Sequence, residues 1–287
     1  MTYSVLRLFR PAFVPFLIVT LLLASLGSPG PARAADKQKV EAFLVTTGFD
    51  TALESIKFSA ASAPDMLGLE PGQFGTDWAR LAKQVFDVDD MHQMAVEFLI
   101  ATLDDDMLGH AVDFYETDLG QRLVAVENAA HLDDADDVRQ TEGTRIVQEL
   151  QTQEDATRFQ LFHRLVRATD ASGIGARALQ EIQIRFLLTA SAAGVIELRI
   201  DEQGLRALMK ESETDLKAAL TESGLAASAY TYRDFDNTDL ETYVKALEQP
   251  LMQKVYELLN AVQYEVTANR FEVLAVRMAK LHPGQDI

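Results

Sequence analysis

The chain has no cysteine. Disulfides, thiolate nucleophiles, cysteine-ligated metals and lipidation at a lipobox are therefore all excluded. Stability must come from core burial, for which a chain of this length has enough residues. Proline is scarce, and none falls between residues 72 and 249. Proline disrupts helix interiors, so so long an interval without it suits a helical chain. The glycines form no P-loop and no dinucleotide-binding turn; Gly173-Ile174-Gly175 is too short for either and follows no predicted strand. No G-x-S-x-G elbow occurs. Basic residues are the minority, 26 against 44 acidic, for a formal net charge of −18. Such a surface repels phosphate backbones and anionic lipid, which argues against a nucleic-acid partner.

What is present begins with an address. Arg7 and Arg10 precede the apolar run 11–26, PAFVPFLIVTLLLASL. Pro29, Gly30 and Pro31 then break any helix, and Ala32-Arg33-Ala34 fits a small-x-small cleavage site. Residues 1–34 read as a secretory signal cleaved after Ala34. The expectation is a periplasmic protein with no stable membrane span after cleavage. The alternative, a retained anchor, meets a run that is short against the roughly 20 residues a span needs.

The centre of the chain is the block 104–130, DDDMLGHAVDFYETDLGQRLVAVENAA, which returns in degenerate form 132 positions later at 236–262, DNTDLETYVKALEQPLMQKVYELLNAV. The two align without a gap. Identical pairs are Asp104/Asp236, Leu108/Leu240, Val112/Val244, Glu116/Glu248, Leu119/Leu251, Gln121/Gln253, Asn128/Asn260 and Ala129/Ala261. The apolar positions 119, 123, 126 and 130 are matched by 251, 255, 258 and 262, a spacing that draws one helical stripe. Each block reads as two helices with a break between them. Thr117 is placed to cap the second helix of the first copy, because its hydroxyl can accept a free backbone N–H. In the second copy Thr238-Asp239-Leu240-Glu241 reads as a capping box, and Pro250 sits where a helix can restart without losing a hydrogen bond.

Phe114-Tyr115-Glu116-Thr117-Asp118-Leu119-Gly120-Gln121 resembles the F-Y-x-[ST]-P-x-G-[QR] signature of a bacterial family, domain of unknown function 2059. The first copy has Asp118 in place of the proline. The second keeps Pro250 and Gln253 but has Ala246-Leu247 for Phe-Tyr and Met252 for glycine. The resemblance implies an exported, mostly helical protein without an assigned activity. It brings Phe114, Tyr115, Thr117, Gly120, Gln121, Pro250 and Gln253 as structural motif residues and no catalytic ones.

The predicted fold is all-α, a multi-helix bundle built from two pseudo-repeated helical halves, 35–170 and 171–287, with the break at Asp170–Gly175. Helices are expected over 37–57, from a Thr76 cap to about Phe86, from Asp89-Asp90 onward, over 138–169 and 176–200, and from Pro250 to about Leu281. Residues 59–75 read as loop with at most one turn. Residues 225–235 read as coil and helix, with a short strand at Tyr230 and Tyr232 as the alternative.

The chemistry-bearing residues point nowhere in particular. His92, His110, His131, His163 and His282 show no zinc-site spacing. His92 and His110 could approach Asp104–Asp106, but scattered surface histidines are the simpler reading. Phe114 and Tyr115 are expected to fill the crossing of the two block helices, and Gly120 to let that crossing close. The reading is thus an exported binding or interaction protein without enzymatic activity or cofactor, whose partner is a protein or a small ligand. Two alternatives remain: a carboxylate- or metal-dependent hydrolase with its site between the halves, and a periplasmic chaperone-like or envelope-maintenance protein.

Overall fold

The computed structural model describes residues 36–68, 75–133 and 136–281. All regular structure among them is helical, so the fold is an all-α multi-helix assembly. The signal segment 1–34, the loop around Pro71, part of the acidic run 132–137, and His282 with Pro283-Gly284 lie outside the described residues, as does the side chain of Thr76.

The chain opens with α1 (Lys37–Thr47) and α2 (Phe49–Ser55). The sequence predicts one helix there; the chain instead turns at Gly48, whose φ is +74°. A Cβ at that position would lie 2.5 Å from Asn128 Oδ1. Glycine is required both for the left-handed backbone and for the close approach of Asn128. A 3-10 turn (Ile56–Ser62) and the single turn α3 (Ala63–Met66) occupy much of the expected loop.

Next come α4 (Gly75–Val85), α5 (Val88–Thr102), α6 (Asp105–Tyr115) and α7 (Asp118–Leu132). Asp87 caps α5 by accepting the N–H groups of Asp89 and Asp90 at 3.1 and 3.2 Å. The long helix predicted over 138–169 is two, α8 (Asp136–Gln151) and α9 (Thr157–Thr169). No glycine or proline marks that break. It comes from the end of α8 turning back on the carbonyls of Glu149 and Leu150, and from Asp155 Oδ1 accepting the Thr157 N–H at 2.9 Å to start the next helix.

The break at 170–174 has its own cap: the Asp170 carboxylate accepts the N–H groups of Ile174 and Gly175 at 3.2 and 3.1 Å. Then come α10 (Gly175–Ala192), α11 (Glu202–Glu211), α12 (Glu213–Thr231), α13 (Asn237–Leu247) and α14 (Pro250–Leu281). α10 ends earlier than the predicted residue 200, ahead of Gly194 at φ +76°. The segment 225–235 carries no strand; Leu225, Ala226 and Ala229 are buried on the last turns of α12, which overrides the tyrosine alternation.

Shifted by 132 positions, the bounds of α6 fall on those of α13, and Asp118 at the start of α7 falls on Pro250 at the start of α14. The caps follow the same shift. Asp104 accepts the Met107 N–H at 2.8 Å, and Asp236 accepts the Asp239 N–H at 2.8 Å. The N-cap of α13 is therefore Asp236, and the predicted capping box at Thr238 is corrected: Asp236 reaches the free N–H groups first, and Thr238 lies inside the helix.

α14 is the common wall. At 32 residues it runs for about 48 Å at 1.5 Å per residue. It packs against α4, α5, α6, α9, α10 and α13. Met252, Val255, Leu259, Val262 and Val266 are buried along it at steps of three and four. Further along, Phe271 meets Phe86 and Phe186 at ring-centroid distances of 5.5 and 5.1 Å. Burying each such side chain contributes about 1.5–3 kcal/mol. α8 and α12 form a tight pair, because a Cβ on Gly143 would lie 2.0 Å from the Ala226 carbonyl oxygen. The apolar core is continuous from α1 to α14, across both predicted halves, and the described residues belong to one compact unit. Among the described residues no helix is long and apolar enough to cross a membrane.

Candidate functional site

The motif residues build the α6–α7 corner. Thr117 Oγ1 accepts the Gly120 N–H at 3.0 Å and donates to the Phe114 carbonyl at 2.7 Å, so one hydroxyl closes α6 and opens α7. A Cβ on Gly120 would stand 2.5 Å from the Phe114 carbonyl oxygen and 2.6 Å from Tyr115 Cα. Gln121 Nε2 donates to the Tyr115 carbonyl at 2.6 Å, which satisfies another orphan acceptor at the helix end. Pro250 starts α14, where it has no N–H to leave unpaired. Gln253 is half-buried on the same first turn.

The corner aims its two aromatics differently. Phe114 is half-buried and stacks on Tyr243 of α13, with centroids 5.8 Å apart and planes within 3°. Tyr115 is 2% exposed, and its hydroxyl enters a cluster that the sequence did not reveal. Tyr115 and Tyr256 share a short hydrogen bond, and Tyr243 lies 3.4 Å from each of them. Tyr243 and Tyr232 both donate to Oε1 of Glu127, at 2.8 and 2.7 Å. The four phenols thus come from α6, the end of α12, α13 and α14, and converge on a carboxylate of α7.

Direction in this network is fixed from one end. Tyr243 spends its proton on Glu127, so it can only accept from Tyr115 or Tyr256. Oε1 receives both donors, and among the described residues Oε2 accepts no hydrogen bond. Among the same residues no Lys, Arg or His pairs with Glu127. Burial raises the Glu127 carboxyl above its ordinary 4.5, and the hydrogen bonds from Tyr232 and Tyr243 oppose that rise. Burial likewise pushes Tyr115, Tyr232 and Tyr243 well above 10, and Tyr256 up to about 12, with the Glu127 charge adding to each.

The cluster walls a cavity of about 280 Å³. Gly48, Phe49 and Ala52 close one side, α7 presents Glu127, Asn128 and His131, and α14 presents Val255, Leu259, Asn260 and Gln263. Asn128 and Asn260, an identical pair of the two sequence blocks, face the same space. Asn260 Nδ2 donates to the Thr169 carbonyl at 2.8 Å, which leaves its Oδ1 as an acceptor. A second cavity of about 290 Å³ shares Glu127, His131 and Tyr232 as wall and adds Arg139, Gln140 and Ser228. Groups of three or more His, Asp or Glu placed to hold a metal do not occur among the described residues.

Of the motif residues, only Tyr115 reaches the cavity; the others build the corner that carries it. The sequence held two signals for the rest. Tyr243 and Tyr256 stand where the first block has Ala111 and Val124, two small-to-aromatic changes at inward positions. Glu127 interrupts a helix face otherwise occupied by Leu123, Val126 and Ala130.

No curated protein and no solved structure matches the chain. Residues 89–149, which span α5 to α8 and hold Tyr115 and Glu127, match the model of domain of unknown function 2059, described as an uncharacterized protein conserved in bacteria, the family that the Phe114–Gln121 motif resembles.

Proposed function

We propose that the protein is an exported, periplasmic receptor that holds a small ligand between α7, α13 and α14 and performs no chemistry on it. The observation that carries the reading is the 280 Å³ cavity whose wall combines a carboxylate, four phenols and three carboxamides with Val255 and Leu259. Enclosed, largely apolar space with a few converging polar groups is the usual form of a small-ligand site. Support for export comes from the sequence, in the basic and apolar N-terminus and the Ala32-Arg33-Ala34 cleavage pattern.

Mass spectrometry of the protein purified from its own bacterium tests both parts. The expected result is a mature N-terminus at Ala35 and one small molecule per chain, lost in Ala52→Leu, which fills the cavity from its apolar side. Retention of Met1 would overturn the cleaved-signal reading and favour the retained anchor. A chain free of small molecules both before and after dialysis against periplasmic extract would overturn the receptor reading.

A further inference from the structure

We infer that the cavity beside Glu127 takes a small organic cation, an alkylammonium whose N–H groups bond to Glu127 Oε2 and whose chain lies along Val255, Leu259 and Ala52. The inference rests on the receptor reading of the same cavity and adds the ligand's charge.

It follows from what the carboxylate lacks. Even half-exposed carboxylates elsewhere have cations: Glu265 and Glu272 share Arg185 at 2.7 Å each, and Glu241 and Glu248 share Arg164 at 2.8 and 2.6 Å. Glu127 has two neutral phenols on one oxygen and, among the described residues, no donor on the other. Neutral donors offset only part of the cost of enclosing a carboxylate, and a hydrogen-bonded cation offsets much more. The remaining groups suit the same ligand. Asn260 Oδ1 is an acceptor, since its amide nitrogen is committed to Thr169. Tyrosine rings around an ammonium add cation–π attraction.

Size and field agree. A volume of about 280 Å³ corresponds to about nine water volumes of ~30 Å³, room for a ligand of six to nine heavy atoms. The formal net charge of −18 raises the local concentration of cations and lowers that of anions. Arg139, a basic group of the adjoining cavity, reaches the Ala130 carbonyl and Asp133. It would attract an anionic ligand, but Glu127 stands in the shared wall and would repel one.

Calorimetric titration of the full mature chain at neutral pH and low salt, with hexylammonium, 1-hexanol and hexanoate as length-matched probes, tests the charge. Hexylammonium is expected to bind at least ten-fold more tightly than either of the others. Glu127→Gln keeps an oxygen for the two tyrosine donors, and should cut hexylammonium affinity at least ten-fold while leaving 1-hexanol unchanged. Ala52→Leu should abolish binding of all three and so ties the heat to this cavity. Equal or tighter binding of the alcohol or the carboxylate overturns the cation and leaves the receptor reading standing. Hexylammonium binding that survives Glu127→Gln also overturns it. Failure of all three probes to bind overturns both.

Discussion

Tyr243 donates its hydroxyl to Oε1 of Glu127 at 2.8 Å, across 116 positions of sequence. The Tyr243 hydroxyl oxygen in turn accepts from Tyr115 or Tyr256 behind it. Tyr243→Phe therefore removes one donor from an enclosed carboxylate and one acceptor from the phenols. The expected loss is about 1–3 kcal/mol, read as a lower urea midpoint at unchanged slope.

The phenols also set an alkaline limit. In the folded chain burial holds Tyr115, Tyr232 and Tyr243 well above 10 and Tyr256 at about 12, whereas unfolded phenols ionise near 10. A group whose folded value is raised contributes stability fully present below the unfolded value and lost as pH rises through the folded one. Melting temperature should thus hold up to about pH 10 and fall beyond it. The phenolate absorbance of these four residues should appear together with unfolding, and its appearance in the native baseline near pH 10 would contradict the packing.

Glu127→Gln should stabilise the empty protein at neutral pH. The folded carboxyl is raised above 4.5, chiefly by burial, so its contribution is complete below about pH 4.5 and is lost as pH rises through the folded value. Glutamine removes that loss. A gain of about 1 kcal/mol would raise the melting temperature by roughly 2–4 °C in a chain of this size. The gain should vanish at pH 4. A variant that is more stable yet binds less is a common signature of a site kept strained for function.

Gly120→Ala and Gly109→Ala separate packing from propensity. At Gly120 the added methyl would stand 2.5 Å from a carbonyl oxygen, so the α6–α7 corner must open at a cost of about 1–3 kcal/mol. At Gly109, on the exposed side of α6, nothing lies within 4 Å of the added atom. Alanine there should stabilise by about 0.5–1 kcal/mol through helix propensity. Thermal melts of the two variants check the opposite signs.

Arg158 ties the turn between α12 and α13 to α9. Its guanidinium donates to the carbonyls of Tyr232, Arg233 and Phe235 at 2.9, 3.1 and 2.8 Å. Arg158→Ala should cost about 1.5–3 kcal/mol and speed amide exchange across 233–237. Arg158→Lys should rescue little, because one ammonium cannot span three acceptors.

The fold class and most helix starts were legible because they rest on local chemistry. Thr117 and Pro250 announce themselves through a cap and a missing N–H, whereas the stripe read at 251, 255, 258 and 262 is met only in part: Val255 and Val262 are buried, with Met252 and Leu259 in place of Leu251 and Leu258. The breaks were less so. No glycine or proline stands at 152–156, and the break shows only in the turn back onto the Glu149 and Leu150 carbonyls and in Asp155 starting α9. At Gly48 a helix-weakening glycine was visible, but its left-handed backbone depends on Asn128, 80 positions away. The cavity was illegible for the same reason. Tyr115, Tyr232, Tyr243 and Tyr256 lie on four separate helices, and only the three-dimensional crossing makes neighbours of them.

The placement of α14 has a consequence for biogenesis. The inner faces of α4, α5, α6, α9 and α10 all rest on α14, which follows them in the chain. A nascent chain can form those earlier helices and pack α5 and α6 on α1, but their faces toward α14 stay uncovered until residue 250 and beyond has emerged. Completion waits on contacts of long sequence separation, such as Phe86 with Phe271. The unfinished polypeptide thereby keeps part of its apolar surface open until α14 is available.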